Sequence, residues 1–201
     1  MAGRATYHHG DLAAAALDEA LRLIEAVPAA QFSLRALAER LGVAHRALYN
    51  HFEAREDLLA ATAARGFDHL ADALAACSDP PAFVSTYAGF ALAHPGLYAV
   101  MMARTYEQFE THPALRRAAD RVIAVSLGVL ATPGADEEAR RREVMRVWML
   151  VHGAIGLHRA GVLRLRSDGD FVAEVLRIAG LAPDSPQPGQ SLWRGPKENL
   201  P

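Results

Sequence analysis

The tightest constraint in this chain lies between Ser33 and Phe52. Leu34, Leu37, Ala38 and Leu41 recur at i, i+3, i+4 and i+7, the apolar stripe of a helix, with Ser33 in front as a side-chain cap and Gly42 behind as a stop. A short third helix is predicted from about Ala44 to Phe52. Gly42 stands where a tight turn needs freedom in φ, Ala38 is small where two helices must cross, and Leu37 and Leu48 supply an apolar wedge between them. These are the steric requirements of a helix-turn-helix. Its outward side then carries His45, Arg46, Tyr49 and Asn50, side chains able to bond base edges and phosphates.

The same period runs through the rest of the chain. Leu17, Leu21 and Ile24 mark a first helix capped by Asp11 and stopped near Val27 and Pro28. Glu56 and Asp57 open a long fourth helix that suits the helix dipole and ends near Cys77, before Ser78, Asp79, Pro80 and Pro81. Further helices are predicted over Ala82–Ala93, Pro95–Thr105, Pro113–Leu130, Asp136–Gly161 and Asp170–Leu181, broken at His94 to Gly96 and Thr132 to Gly134. Alanine is abundant and strand-type alternation almost absent, so the fold class is all-α. The expected organisation is a three-helix domain over 1–62, joined by the fourth helix to a helical domain over 63–181. The Pro-, Gly-, Gln- and Ser-rich stretch 182–201 is expected to be a disordered tail.

Composition narrows the function classes. With 21 basic and 23 acidic residues and a net charge of −2, the chain lacks a globally basic surface, so any DNA contact must be local. Cys77 is the one cysteine, which excludes a disulfide framework and fits a reducing cytoplasm; it reads as a small buried hydrophobe near a helix end. The N-terminus lacks the apolar core of a signal peptide, and the longest apolar stretch, Val147–Leu157, falls short of a membrane span and is interrupted by His152. The nine histidines show no i, i+4 pair with the carboxylate that a zinc helix needs, so neither metal nor cofactor is expected. No nucleophile elbow, phosphate loop, dinucleotide fingerprint or paired carboxylates are found, so an enzyme is not expected.

Longer strings carry a resemblance. Residues 32–43 (FSLRALAERLGV), 47–52 (ALYNHF) and 55–59 (REDLL) resemble the tetracycline-repressor (TetR) family, the spacing of Tyr49, His51 and Phe52 with Arg55, Glu56 and Leu58 being the most specific part. The opening Tyr7, His8, His9, Gly10, Asp11 and Leu12, and the late Trp148 with Val151, His152 and Gly153, are similar to a subset of that family. The resemblance implies a homodimeric regulator, usually a repressor, that leaves a palindromic DNA operator when a small molecule binds its C-terminal domain. Ser33, Arg35, Ala44, His45, Arg46, Tyr49, Asn50, His51 and Arg55 are then the candidate DNA contacts, Arg46 for base readout and Tyr49, His51 and Arg55 for phosphates. Arg4, His8 and His9 are candidates for a flexible arm. Two positions depart from the family pattern: Ala44 replaces the usual Ser or Thr cap of the recognition helix, and Arg55 replaces the usual Lys.

Two further sites are expected in the C-terminal part. Trp148 and His152 stand one turn apart and, with Tyr87, Phe90, Met101, Met102, Tyr106 and Phe109, form the candidate lining of a largely apolar effector pocket. Val147–Leu157 is apolar almost all round, which predicts one face covered by its own domain and the other by a partner subunit, with Gly153 and Gly156 allowing close approach. The stripe Phe171, Val172, Val175, Leu176 and Ala179 in the last helix is expected to join that interface. Glu137 and Glu138 stand four residues before Arg141 and Arg142, the spacing of solvated ion pairs.

Overall fold

Apolar stripes, capping side chains and turn glycines together set where the helices form. The computed structural model describes residues 9–27 and 32–182, with side chains from Leu12 onward. Among the described residues there are ten helices, α1 (His9–Ala26), α2 (Leu34–Leu41), α3 (His45–Tyr49), α4 (Arg55–Ala75), α5 (Pro80–Ala93), α6 (Pro95–Met102), α7 (Tyr106–Thr111), α8 (Pro113–Leu130), α9 (Glu137–Arg159) and α10 (Asp168–Ile178). The fold is all-α, as the periodicity requires.

Several predicted boundaries move, each for a local reason. Asp11 does not cap α1, which starts at His9 and so takes Asp11 into its first turn. The Asp79 carboxylate accepts the Ala82 N–H at 2.8 Å, so α5 begins at Pro80 instead of Ala82. The helix expected to reach Thr105 stops at Met102, because Thr105 caps a helix of its own. Its hydroxyl accepts the Gln108 N–H at 3.4 Å while the Gln108 side chain accepts the Thr105 N–H at 3.0 Å, a capping box that starts α7. Ser167 accepts the Asp170 N–H at 3.1 Å and so opens α10 at Asp168. The N-terminal arm residues Arg4 and His8, the Pro28 stop and the tail beyond Ala182 lie outside the described residues, as does the side chain of His9.

The helices group into two units. The first holds the described residues up to His69 together with His94–Arg121. Within it α1 packs on α2, α3 and α6 around a core that includes Ala16, Ala20, Phe32, Leu37, Leu48 and Leu58. The contact of α1 with α6 is close: a Cβ on Gly96 would lie 2.3 Å from the Ile24 carbonyl oxygen, so only glycine fits there. The Glu25 carboxylate then accepts the N–H groups of Gly96 and Leu97, both at 2.8 Å, satisfying orphan donors of α6. The second unit holds Leu70–Ala93 and the described residues from Val122 onward. In it α5, apolar all round, packs on α9 and α10, with Phe83, Val84, Tyr87, Val147, Val151, Phe171 and Val175 buried.

Candidate functional site

The helix-turn-helix is built as its residue types demand. The Ser33 hydroxyl accepts the Ala36 N–H at 3.1 Å and starts α2. At the other end Gly42 adopts a φ of 66°, and its N–H and that of Val43 reach back to the carbonyls of Glu39 and Ala38 at 3.2 and 3.1 Å. This paired closure is the Schellman arrangement, which turns the chain sharply into α3. Leu37 and Leu48 are fully buried and Ala38 nearly so, which fixes the crossing of α2 on α3. Ala44 precedes α3 without any side-chain cap bond, leaving a loss of about 1 kcal/mol relative to Ser or Thr there.

With Leu48 turned inward, α3 presents its other side to solvent. His45, Arg46, Tyr49 and Asn50 are all exposed, and the His45 and Tyr49 rings meet edge to face at 4.8 Å. Arg35 is exposed on α2, its guanidinium held 3.0 Å from Glu39, so a phosphate must compete with that carboxylate. A depression of about 350 Å3 is lined by Arg35, Ala38, Glu39, Val43 and His45. His51 is half-buried. Arg55 is half-buried too: its Nε donates to the Phe32 carbonyl at 2.9 Å and a terminal nitrogen donates to Glu56 at 2.8 Å. The structure therefore gives Arg55 a task that sequence reasoning missed, tying the entrance of α2 to the start of α4.

Comparisons with known proteins place this geometry. Residues 16–62 match the bacterial regulatory proteins of the tetR family, and residues 80–177 match the tetracyclin repressor-like C-terminal domain. An uncharacterised HTH-type transcriptional regulator of Mycobacterium tuberculosis is 32% identical over 157 residues, which cover 73% of this chain and 70% of that protein. The chain belongs to the TetR family. A solved structure of a protein of unknown function from Rhodococcus sp. RHA1 superposes with a TM-score of 0.70 at 26% identity, covering 88% of this chain and 97% of that one. A possible TetR family regulator from Streptomyces coelicolor A3(2) shares the fold, with a TM-score of 0.54 at 24% identity over 88% of this chain and 76% of that one. The helix-turn-helix of a TetR-family transcriptional regulator is thus the element carried by α2 and α3.

The effector residues expected in this TetR-family chain divide between the two units. In the second, Tyr87 is buried on α5 and its ring lies 6.4 Å from that of Phe83, while Phe90 is half-buried on the same helix. Trp148 on α9 is half-buried, and its indole Nε1 is buried with no acceptor among the described residues. His152, one turn on, is exposed. In the first unit, Met101 is buried on α6, with its sulfur 2.7 Å from where a Cβ on Gly66 would lie. Met102 is half-buried, the Phe109 ring sits 6.2 Å from Phe67, and Tyr106 is 80% exposed.

The two-sided character of α9 is also visible. Val144, Val147, Val151 and Ile155 are buried, whereas Met145, Met149 and Leu157 are exposed on another side with His152, Gly153 and Gly156. A Cβ on either glycine would meet nothing within 4 Å among the described residues. On α10, Phe171 and Val175 turn into the unit's own core, where the Phe171 ring lies 4.6 Å from His158, leaving Val172, Leu176 and Ala179 half-buried and Ile178 exposed. Arg141 and Arg142 pair with Glu137 and Glu138 at 2.7 and 3.3 Å on the exposed first turns of α9.

Proposed function

We propose that this TetR-family regulator is a repressor that binds a palindromic operator as a homodimer and is released by a small, largely apolar effector. The observation that carries the reading is the exposed side of α3, where His45, Arg46, Tyr49 and Asn50 stand clear of the Leu48 anchor. Arg46 reads a base, because a guanidinium can pair in bidentate fashion with guanine O6 and N7. Tyr49, His51 and Arg55 contact phosphates, with Ser33, Arg35 and Ala44 flanking the same surface. The compartment is the one that holds the DNA, the cytoplasm; no described helix is long and apolar enough to cross a membrane.

Dimerisation is supported by the bare stripe Met145, Met149, Gly153, Gly156 and Leu157 on α9, with Ile178 of α10 also exposed. A second copy of the same stripe, related by a two-fold axis, would cover it. For the effector, Trp148 on α9 carries a buried N–H with no acceptor among the described residues, and α9 packs on the apolar α5. Tyr87 and Phe90 on α5 and Trp148 on α9 are the lining residues that this reading favours. The test is selection of duplexes from a random library by the full-length protein, followed by gel retardation. Recovery of a two-fold symmetric sequence bound by two protomers supports the reading. Failure to retard any duplex at low salt defeats it.

A further inference from the structure

The first turn of α4 carries two adjacent acids, and each faces two ways. Glu56 accepts Arg55 through one oxygen at 2.8 Å, and through the other it accepts Arg104 and the Gln108 side chain, both at 3.2 Å. Asp57 accepts the Ala54 N–H through one oxygen at 2.8 Å, and the other lies 3.2 Å from His112 Nε2. One oxygen of Asp57 thus holds the turn that follows the recognition helix and one of Glu56 holds Arg55 at the head of α4, while the other oxygen of each acid is held by the segment from Arg104 to His112.

That segment is itself well fixed. Arg104 is almost wholly buried, at 7% side-chain exposure, and its Nε donates to the Val100 carbonyl at 3.1 Å. Gln108 is tied into the Thr105 capping box, and His112 Nδ1 lies 3.0 Å from the Gln108 carbonyl oxygen. A buried guanidinium needs a partner to offset desolvation, and Glu56 is the carboxylate it reaches. The chain of contacts runs from Arg104 through Glu56 to Arg55, and from Arg55 to the Phe32 carbonyl at the entrance of α2.

We propose that Arg104, Gln108 and His112, about sixty residues beyond the recognition helix, are positioning residues of the DNA interface. They orient Arg55 and the turn between α3 and α4 through Glu56 and Asp57. This rests on the reading that Arg55 contacts a phosphate. DNA affinity in this chain is therefore set partly outside the helix-turn-helix, and a change at residues 104–112 alters it without touching DNA.

The experiment uses the full chain and a duplex that the wild-type protein has selected from a random library. Arg104→Gln is expected to weaken binding about tenfold and Glu56→Gln less, because the latter also removes a carboxylate that competes with phosphate for Arg55. Both lower the thermal midpoint by breaking the buried pair, so binding is compared well below it, and the double variant loses no more than the worse single one. The slope of log Kd against log salt should flatten by about 0.9 per lost phosphate contact, as in Arg55→Ala. His112→Gln, which keeps a donor for Asp57, should retain affinity that His112→Ala loses. Wild-type affinity in Arg104→Gln and Glu56→Gln, additive losses in the double variant, or weakened binding with an unchanged salt slope would each overturn the proposal. Because Glu56 is half-exposed, its variant keeps the test decisive even where Arg104→Gln fails to fold. If the wild-type protein selects no duplex at all, the DNA-binding reading itself has failed.

Discussion

Replacing Gly96 by Ala is expected to be among the most damaging single-methyl changes in this chain. The added Cβ would stand 2.3 Å from the Ile24 carbonyl oxygen and 2.9 Å from its carbon, and both are backbone atoms that no rotamer change can move aside. Relief requires α6 to withdraw from α1 by most of an ångström. That motion also stretches the two 2.8 Å bonds by which Glu25 holds the N–H groups of Gly96 and Leu97. Overpacking of this kind costs about 1–3 kcal/mol, and weakening two bonds to a charged acceptor adds about 1–2 kcal/mol. The small helix-propensity gain of Ala over Gly offsets under about 1 kcal/mol of this. The net expectation is a loss of about 2–4 kcal/mol, read from the shift of the urea midpoint at constant m-value. A loss below about 0.5 kcal/mol would show that α6 does not seat on α1 as described.

Other expectations follow from the same geometry. Gly153→Ala adds a methyl that meets nothing within 4 Å among the described residues, so the helix should gain up to about 1 kcal/mol while the dimer weakens; sedimentation should show a higher dissociation constant, and an unchanged one would remove α9 from the interface. Asp57 is held below the usual carboxylate range, chiefly by the Ala54 N–H and also by His112, and Glu19 likewise by Arg40 and then Arg22. A depressed folded-state value gives stability that is present above the unfolded carboxylate range and lost as pH falls through the folded one. Urea midpoints should therefore decline as pH drops below about 4, and Asp57→Asn should flatten that decline; a parallel decline in the variant would refute the assignment.

Much of this was legible in the sequence because short-range rules decide it. The Ser33 cap, the Gly42 turn and the stripe Leu34, Leu37 and Ala38 all act within a few residues and stand as read, while Leu41, the last of the stripe, is only half-buried. The helix α7 was not anticipated, although Thr105 and Gln108 have capping-box spacing, because the stretch from Tyr106 to Thr111 buries no residue and so lacks an apolar stripe. Contacts between distant segments were invisible for another reason. Nothing local to Glu56 or Asp57 indicates that their second oxygens meet Arg104, Gln108 and His112, and nothing local to Gly96 indicates the Ile24 carbonyl. The apolar stripe of α10 is expected at a partner interface, yet Phe171 and Val175 are buried within their own unit and Val172, Leu176 and Ala179 are only half-buried. Period alone cannot say which neighbour covers a stripe.

The central claim is that α3 reads DNA sequence through its exposed side, and Arg46 tests it most directly. Wild-type protein and Arg46→Ala would be titrated against a selected duplex, its single-base variants and a random duplex at one salt concentration. The account predicts that Arg46→Ala loses about 1–3 kcal/mol of discrimination at one base pair per half-site while its binding to random DNA falls much less. An equal loss on selected and random duplexes would contradict it, reducing Arg46 to a phosphate clamp.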